Sequence, residues 1–193
     1  MTARSLPRRH VVGALLLLPS FGACSATPAP KLYVLAPRPA SPLNRPAATI
    51  AVKPVDIAKY LDRTQIVRRT GPYQLEALEF DRWGEGLSEM VTRVLIENLS
   101  QRLPGSQVRA AAGPFTLPSP ELTIEVNIDT FDADAEGAVT LVAQWVVHRG
   151  KADQFRSQEI RVMAASRDPA GQVAGMSDAL GQLSSQIAAG LAT

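Results

Sequence analysis

The sequence predicts an α+β domain, with a mainly antiparallel sheet and two helices packed on one face of it. Three patterns carry that expectation. Leu122, Ile124, Val126 and Ile128 alternate with Glu121, Thr123, Glu125, Asn127 and Asp129, and Val139, Leu141, Ala143, Trp145 and Val147 alternate with Thr140, Gln144 and His148. A period of two puts one face of each segment in a core and the other in water, so the pair reads as an antiparallel hairpin. Leu87, Met90, Val91, Val94, Leu95, Leu99 and Leu103 fall instead on one stripe of a helix. A second stripe closes the chain at Val173, Met176, Leu180, Leu183, Ile187 and Leu191. Strands, a helix, more strands and a final helix give segregated layers rather than an alternating β/α array.

From its N-terminus the chain reads first as a targeting segment. Arg4, Arg8, Arg9 and His10 precede Val11–Leu18, an apolar run of eight residues, VVGALLLL. A spanning helix needs about 20 such residues, and a run this short suits the hydrophobic region of a signal peptide. Pro7–Val12 also carries part of a twin-arginine pattern. The segment ends at Phe21-Gly22-Ala23-Cys24, which resembles the lipobox of bacterial lipoproteins, with Phe21 where leucine is usual. The small pair lets a peptidase reach the bond before Cys24. The Cys24 thiol would then carry a diacylglycerol, and the new amine an N-acyl lipid. One acyl chain binds a bilayer marginally, whereas several, at about 0.8 kcal/mol per buried CH₂, hold it lastingly. Cys24 is the only cysteine of 193 residues and so closes no internal disulfide. The competing reading is an ordinary secretory signal with an incidental cysteine; position, flanks and uniqueness favour the anchor. The organisation that follows is a signal peptide at 1–23, an acylated tether at 24–31 and one domain at 32–193. Ser25, rather than aspartate, follows the cysteine. Under the enteric sorting rule that leans towards the outer membrane, periplasmic face.

Apolar residues make up 46% of the chain and charged residues 20%, a composition that buries a core. The net charge of +2 is unevenly placed, because Arg4, Arg8 and Arg9 all precede Cys24. The body is close to neutral and gives no basic surface for nucleic acid. Lys31–Leu35 reads as a first strand. Pro37–Pro46, PRPASPLNRP, is a loop that its prolines keep out of helix and central strand. Ala48–Val55 reads as a strand broken at Pro54. Gln65–Arg68 is a strand, Thr70-Gly71-Pro72 a turn and Tyr73–Glu79 a second strand. Pro104-Gly105 stops the first helix, and Gln107–Ala110 follows as a short strand. Asp132–Gly137 is the turn of the long hairpin, and Phe155–Met163 a weaker third strand. Gly171, Gly175, Gly181 and Gly190 weaken the last helix, which must therefore be held by docking.

The residues for chemistry are few. His10 and His148 are the only histidines, so no histidine pair is available for a metal. There is no G-x-S-x-G elbow and no phosphate-binding loop. A serine triad would have to use His148, which reads better as a solvated strand-end histidine. Asp129, Asp132, Asp134 and Glu136 gather round the hairpin turn; without an EF-hand loop they read as turn solvation rather than a calcium site. The expectation is a protein that is not an enzyme and has no cofactor beyond the covalent lipid on Cys24.

The middle of the chain adds a resemblance. Tyr60-Leu61-Asp62-Arg63-Thr64-Gln65-Ile66-Val67-Arg68 and Asp81-Arg82-Trp83-Gly84-Glu85-Gly86-Leu87 are similar to stretches of the PqiC-like family, the ABC-type transport auxiliary lipoproteins or membrane integrity-associated transporter subunits. Gly137–Trp145 matches that family's G-x-V-x-L-x-A-x-W strand, and Ser177, Leu180, Leu183 and Ile187 match its final helix. Thr64 replaces a common proline, and Gly84 and Gly86 depart from the family at the start of the helix. The resemblance runs from about Lys31 to the C-terminus. It implies an outer-membrane lipoprotein that docks the distal end of a periplasmic tunnel built by an MCE-domain protein, as an oligomeric ring. Some relatives serve an ABC transporter permease instead. The alternative is another envelope-assembly or structural lipoprotein without a transport partner. For partner contact the chain offers Tyr60, Asp62, Arg63, Arg82 and Trp83, with Arg68 and Arg69 beside them, aromatic and arginine side chains of the kinds enriched at hot spots. Against that stands a reading in which Tyr60 and Trp83 are core and the charges are structural pairs. Trp145, on the apolar face of its strand, is core.

Overall fold

The computed structural model describes residues 28–116 and 118–191. The signal segment and Cys24 lie outside the described residues.

The hairpin with the strongest alternation is the spine of the fold. β1 (Lys31–Tyr33), β2 (Thr49–Val52), β3 (Asp56–Ile57), β4 (Gln65–Gly71) and β5 (Gln74–Trp83) precede α1 (Leu87–Arg102). β6 (Gln107–Ala110), β7 (Leu122–Asp134), β8 (Ala138–Arg149), β9 (Ala152–Met163) and α2 (Pro169–Gly190) follow. The three long pairings, β4–β5, β7–β8 and β8–β9, are antiparallel. β2, β3 and β4 join β7 in parallel, and β6 and β1 add in parallel to β2 and β5. The sheet is therefore mixed. Alternation shows which residues face the core but not the direction of a distant partner strand, so the short parallel pairings left no local signal.

β7 also runs further than its alternation suggests. Its even-numbered residues from Leu122 to Ile128 are buried, but beyond Asp129 the buried apolar residues are Phe131 and Ala133. The β7–β8 register shifts between Ile128 and Thr130, a bulge that changes which parity faces inward. The strand continues through Asp132 to Asp134, and the turn shortens to Ala135-Glu136-Gly137. Asp134 shapes that turn by accepting from the Glu136 and Ala138 amides at 3.0 and 2.8 Å. Gly137 takes a φ of +94°, which residues with a Cβ adopt with strain. The other hairpin turn also moves. Gly71 pairs with Gln74, so Pro72-Tyr73 is the two-residue turn and Gly71 belongs to β4. β5 then extends through Arg82 and Trp83 before Gly84-Glu85-Gly86 leads into α1.

Both helices close the buried face. α2 packs on β7, β8 and β9, and α1 packs on α2 and β6. Met90, Val94, Leu95 and Leu99 of α1, with Met176, Leu180, Leu183 and Ile187 of α2, are at most 1% exposed. The glycines of α2 serve its docking. A Cβ at Gly175 would stand 3.0 Å from a methyl of Val139 on β8, and one at Gly181 would stand 3.0 Å from Cβ of Arg38. Asp168 caps the helix, accepting from the Gly171 amide at 2.7 Å, and Pro169 fixes the first turn. The proline-rich segment after β1 lies as a strap across both helices. Ala36 N–H donates to Ser177 Oγ at 3.2 Å, Arg38 N–H to Asn98 Oδ1 at 2.9 Å and Leu43 N–H to the Arg102 carbonyl at 2.7 Å.

Candidate functional site

The sequence-predicted contact residues divide between two places. Thr64 and Gln65 begin β4 beside the end of β5, where Gln65 stands opposite Arg82 and the Trp83 N–H donates to the Thr64 carbonyl at 2.7 Å. Asp62 and Arg63 are exposed on the β3–β4 connection at that same corner, and Arg82 is half-buried. Trp83, 6% exposed, is part of the core beneath them. Asp62, Arg63 and Arg82 thus form a polar corner near the start of α1.

Tyr60 has another commitment. Its hydroxyl donates to Asp132 Oδ2 at 2.7 Å, while Arg69 reaches the same carboxylate from β4 through Nε at 3.0 Å and Nη2 at 2.9 Å. Asp132 is 2% exposed. It is therefore not a solvated turn residue but a buried carboxylate with three donors, as a charge in that position requires. Burial first, and then the hydrogen bond to Asp132, pushes the Tyr60 phenol up to about 12. Arg69's own hydrogen bonds to Asp132 hold its guanidinium above its ordinary range. The pattern offers Tyr60 and Arg69 either for contact or as core and structural pairs, and Asp132 as a turn residue; the pairing of both β3 and β4 with β7 brings the three together.

The remaining carboxylates do not assemble into one site. Asp129 accepts from Asn127 and Gln144, and Asp134 shapes its own turn. Among the described residues, no group of three His, Cys, Asp or Glu is placed to hold a metal ion. His148 is partly exposed near the end of β8 and stands between two carboxylates. Its Nε2 lies 3.0 Å from Glu125 and its Nδ1 2.7 Å from Asp153. Glu125 also receives the Lys53 ammonium, whose hydrogen bond holds its carboxyl below the usual range. The arrangement ties β7, β8 and β9 to the loop after β2 on the open face of the sheet. Among the described residues no serine hydroxyl bonds to His148, whose ring nitrogens face two carboxylates.

Two concavities lie nearby. One of about 200 Å³ on the open face is lined by Lys53, Glu125, Asn127, Gln144 and Phe155. A wider groove of about 480 Å³ runs between α1 and β6, with Pro54, Thr92, Ile96, Ala110 and Ala112 supplying its apolar wall. Among the described residues, no helix is long and apolar enough to cross a membrane.

The described residues thus form an α+β domain with one sheet face covered by helices and the other open. The profile of the ABC-type transport auxiliary lipoprotein component family matches residues 33–188, and the chain belongs to that family. Two solved structures share the fold. A crystal structure of an uncharacterized protein is 21% identical with a TM-score of 0.75, over 85% of this chain and 99% of that one. A Xanthomonas campestris protein of the DUF330 family is 17% identical with a TM-score of 0.63, over 85% of this chain and 93% of that one. No curated protein matches the sequence at a significant level.

Proposed function

We propose that this lipoprotein is anchored through Cys24 in the outer membrane, and there docks the periplasmic tunnel component of an MCE- or ABC-type lipid-transport system. The observation that carries the reading is a conjunction in one chain: a lipobox-like FGAC followed by a short proline-rich tether, and behind it a domain of the transport-auxiliary family. The tether supplies attachment and the rigid sheet supplies shape. The corner of Asp62, Arg63 and Arg82 supplies charges that a partner can read, with Trp83 fixing their backbone from below. A polar rim over a packed aromatic is the anatomy of a docking patch.

The test is photo-crosslinking in native membranes, with the reactive group at Arg63 or Arg82. Adducts with an MCE-domain protein or a transporter permease are expected, in the fraction with outer-membrane density. Adducts only with other envelope proteins would replace this reading with that of an assembly or structural lipoprotein.

A further inference from the structure

The pairing of β1 fixes the side from which the tether enters the domain. β1 runs in the same direction as β5, with Lys31 opposite Asp81 and Tyr33 opposite Trp83. The chain before Lys31 therefore arrives from the direction of Gln74, where β5 begins, and of the Pro72-Tyr73 turn. Only four peptide units separate Pro28 from Cys24, a reach of at most about 14 Å. A leash that short, entering from that side, holds the domain with the β4–β5 tip towards the anchor.

The same end of the sheet also carries the β7–β8 turn and the start of α2. Arg68 and Arg69 of β4 stand opposite Ala133 and Asp134 of β7, and Arg68 donates to the Arg167 carbonyl at 3.2 Å. The far end carries the β8–β9 turn at Gly150-Lys151 and the close of α2, where Arg149 donates to the Leu191 carbonyl at 2.8 Å. The tip itself suits a headgroup layer. Tyr73 is 100% exposed and Leu75 39% exposed. A fully exposed phenol ring is poorly placed in bulk water, whereas its apolar body and polar end match the membrane interface. Pro72 stiffens the turn that presents it. Arg68 and Arg167 are offset there by Glu76 and Glu136, so contact at this end would come from the ring and the leash rather than from a basic patch.

We infer that this end of the domain, led by Tyr73, rests on the lipid headgroups of the membrane that holds Cys24. The β8–β9 end is then left to the aqueous side, where a transport partner arrives. The inference rests on the reading of Cys24 as the acylated residue.

The experiment uses the mature full-length chain, purified from membranes and checked for acylation by intact mass. It is reconstituted in phosphatidylethanolamine–phosphatidylglycerol vesicles with brominated acyl chains. The fluorescence added by Tyr73→Trp and, separately, by Phe155→Trp is read against the native protein. Phe155 is 58% exposed on β9, opposite Val146, away from the tip. The Tyr73→Trp signal is expected to shift to the blue and to be quenched several-fold more strongly than that of Phe155→Trp. An acylated protein with equal quenching at both sites, or stronger quenching at Phe155→Trp, would overturn the orientation and leave the anchor standing. A mature chain without acyl mass would overturn the anchor and the orientation together.

Discussion

Asp132 takes its donors from two separate parts of the chain, Tyr60 before β4 and Arg69 within it. The carboxylate is buried, while the Arg69 side chain keeps 34% of its exposure. Arg69→Met therefore leaves a buried charge with one neutral donor. Its expected cost is about 2–3 kcal/mol, below the range for a wholly buried pair because one partner is partly wet. Urea unfolding measures it, and Arg69→Met combined with Asp132→Asn should recover part of the loss. An unchanged midpoint in the single variant would mean that water already serves the carboxylate. Tyr60 adds a pH dependence of definite sign. Its phenol titrates near 10 when unfolded and at about 12 in the fold. The native state keeps its proton over that interval, so the contribution is complete below pH 10 and declines as pH rises towards 12. Tyr60→Phe should flatten that part of the stability profile, and absorbance at 295 nm should follow the phenolate itself.

The helices show a different kind of constraint, in which a missing side chain matters. A Cβ at Gly171 would stand 2.3 Å from the Ser166 carbonyl oxygen, a backbone atom that cannot swing aside. Helix propensity favours alanine over glycine by about 1 kcal/mol, but here contact decides the sign. Gly171→Ala is expected to destabilise the domain, whereas Gly190→Ala, with open space within 4 Å of its new methyl, is expected to be neutral or slightly stabilising. Thermal unfolding of the two variants separates these outcomes, and a stabilised Gly171→Ala would refute the packing argument. The Gly171 amide and the Ser166 hydroxyl hold the Asp168 carboxyl below its ordinary range. A depressed carboxylate contributes above its unfolded pKa and loses that contribution as pH falls through the folded one, so the start of α2 weakens in acid. The last helix was legible as a stripe, and its glycines as a weakness. That Gly175 and Gly181 are there to admit Val139 and the strap was not, since neither neighbour is local in sequence.

Across the molecule, the strap couples β1 to the helical layer. Asn98 is its main fastening, accepting from Arg38 N–H and donating to Ser184 Oγ at 3.2 Å. It joins strap, α1 and α2 at a point 1% exposed. Asn98→Ala removes both bonds and orphans the Arg38 amide, at an expected cost of about 2 kcal/mol. Limited proteolysis should then cut between residues 36 and 46 at protease concentrations that leave the native protein whole. A strap that stays resistant would show that its other fastenings suffice: Arg38 to Asp178 and the Ala174 carbonyl, Ala36 to Ser177 and Leu43 to Arg102.

Contiguous pattern was enough to show the FGAC motif, the two helical stripes and the alternation of β7 and of β8, because each is written in a short run of neighbouring residues whose period or order reports their own surroundings, and the family likeness is a series of such short motifs in order. Tertiary structure alone decided that the sheet is mixed and that β7 bulges at Asp129 to change its inward parity. It also decided that Tyr60 and Arg69 share the buried Asp132 carboxylate, and that β1 runs parallel to β5. Each of these depends on which distant strand lies alongside which, and in what direction. A parallel pairing sets that through backbone hydrogen bonds common to almost every residue type, so side-chain pattern carries little record of it.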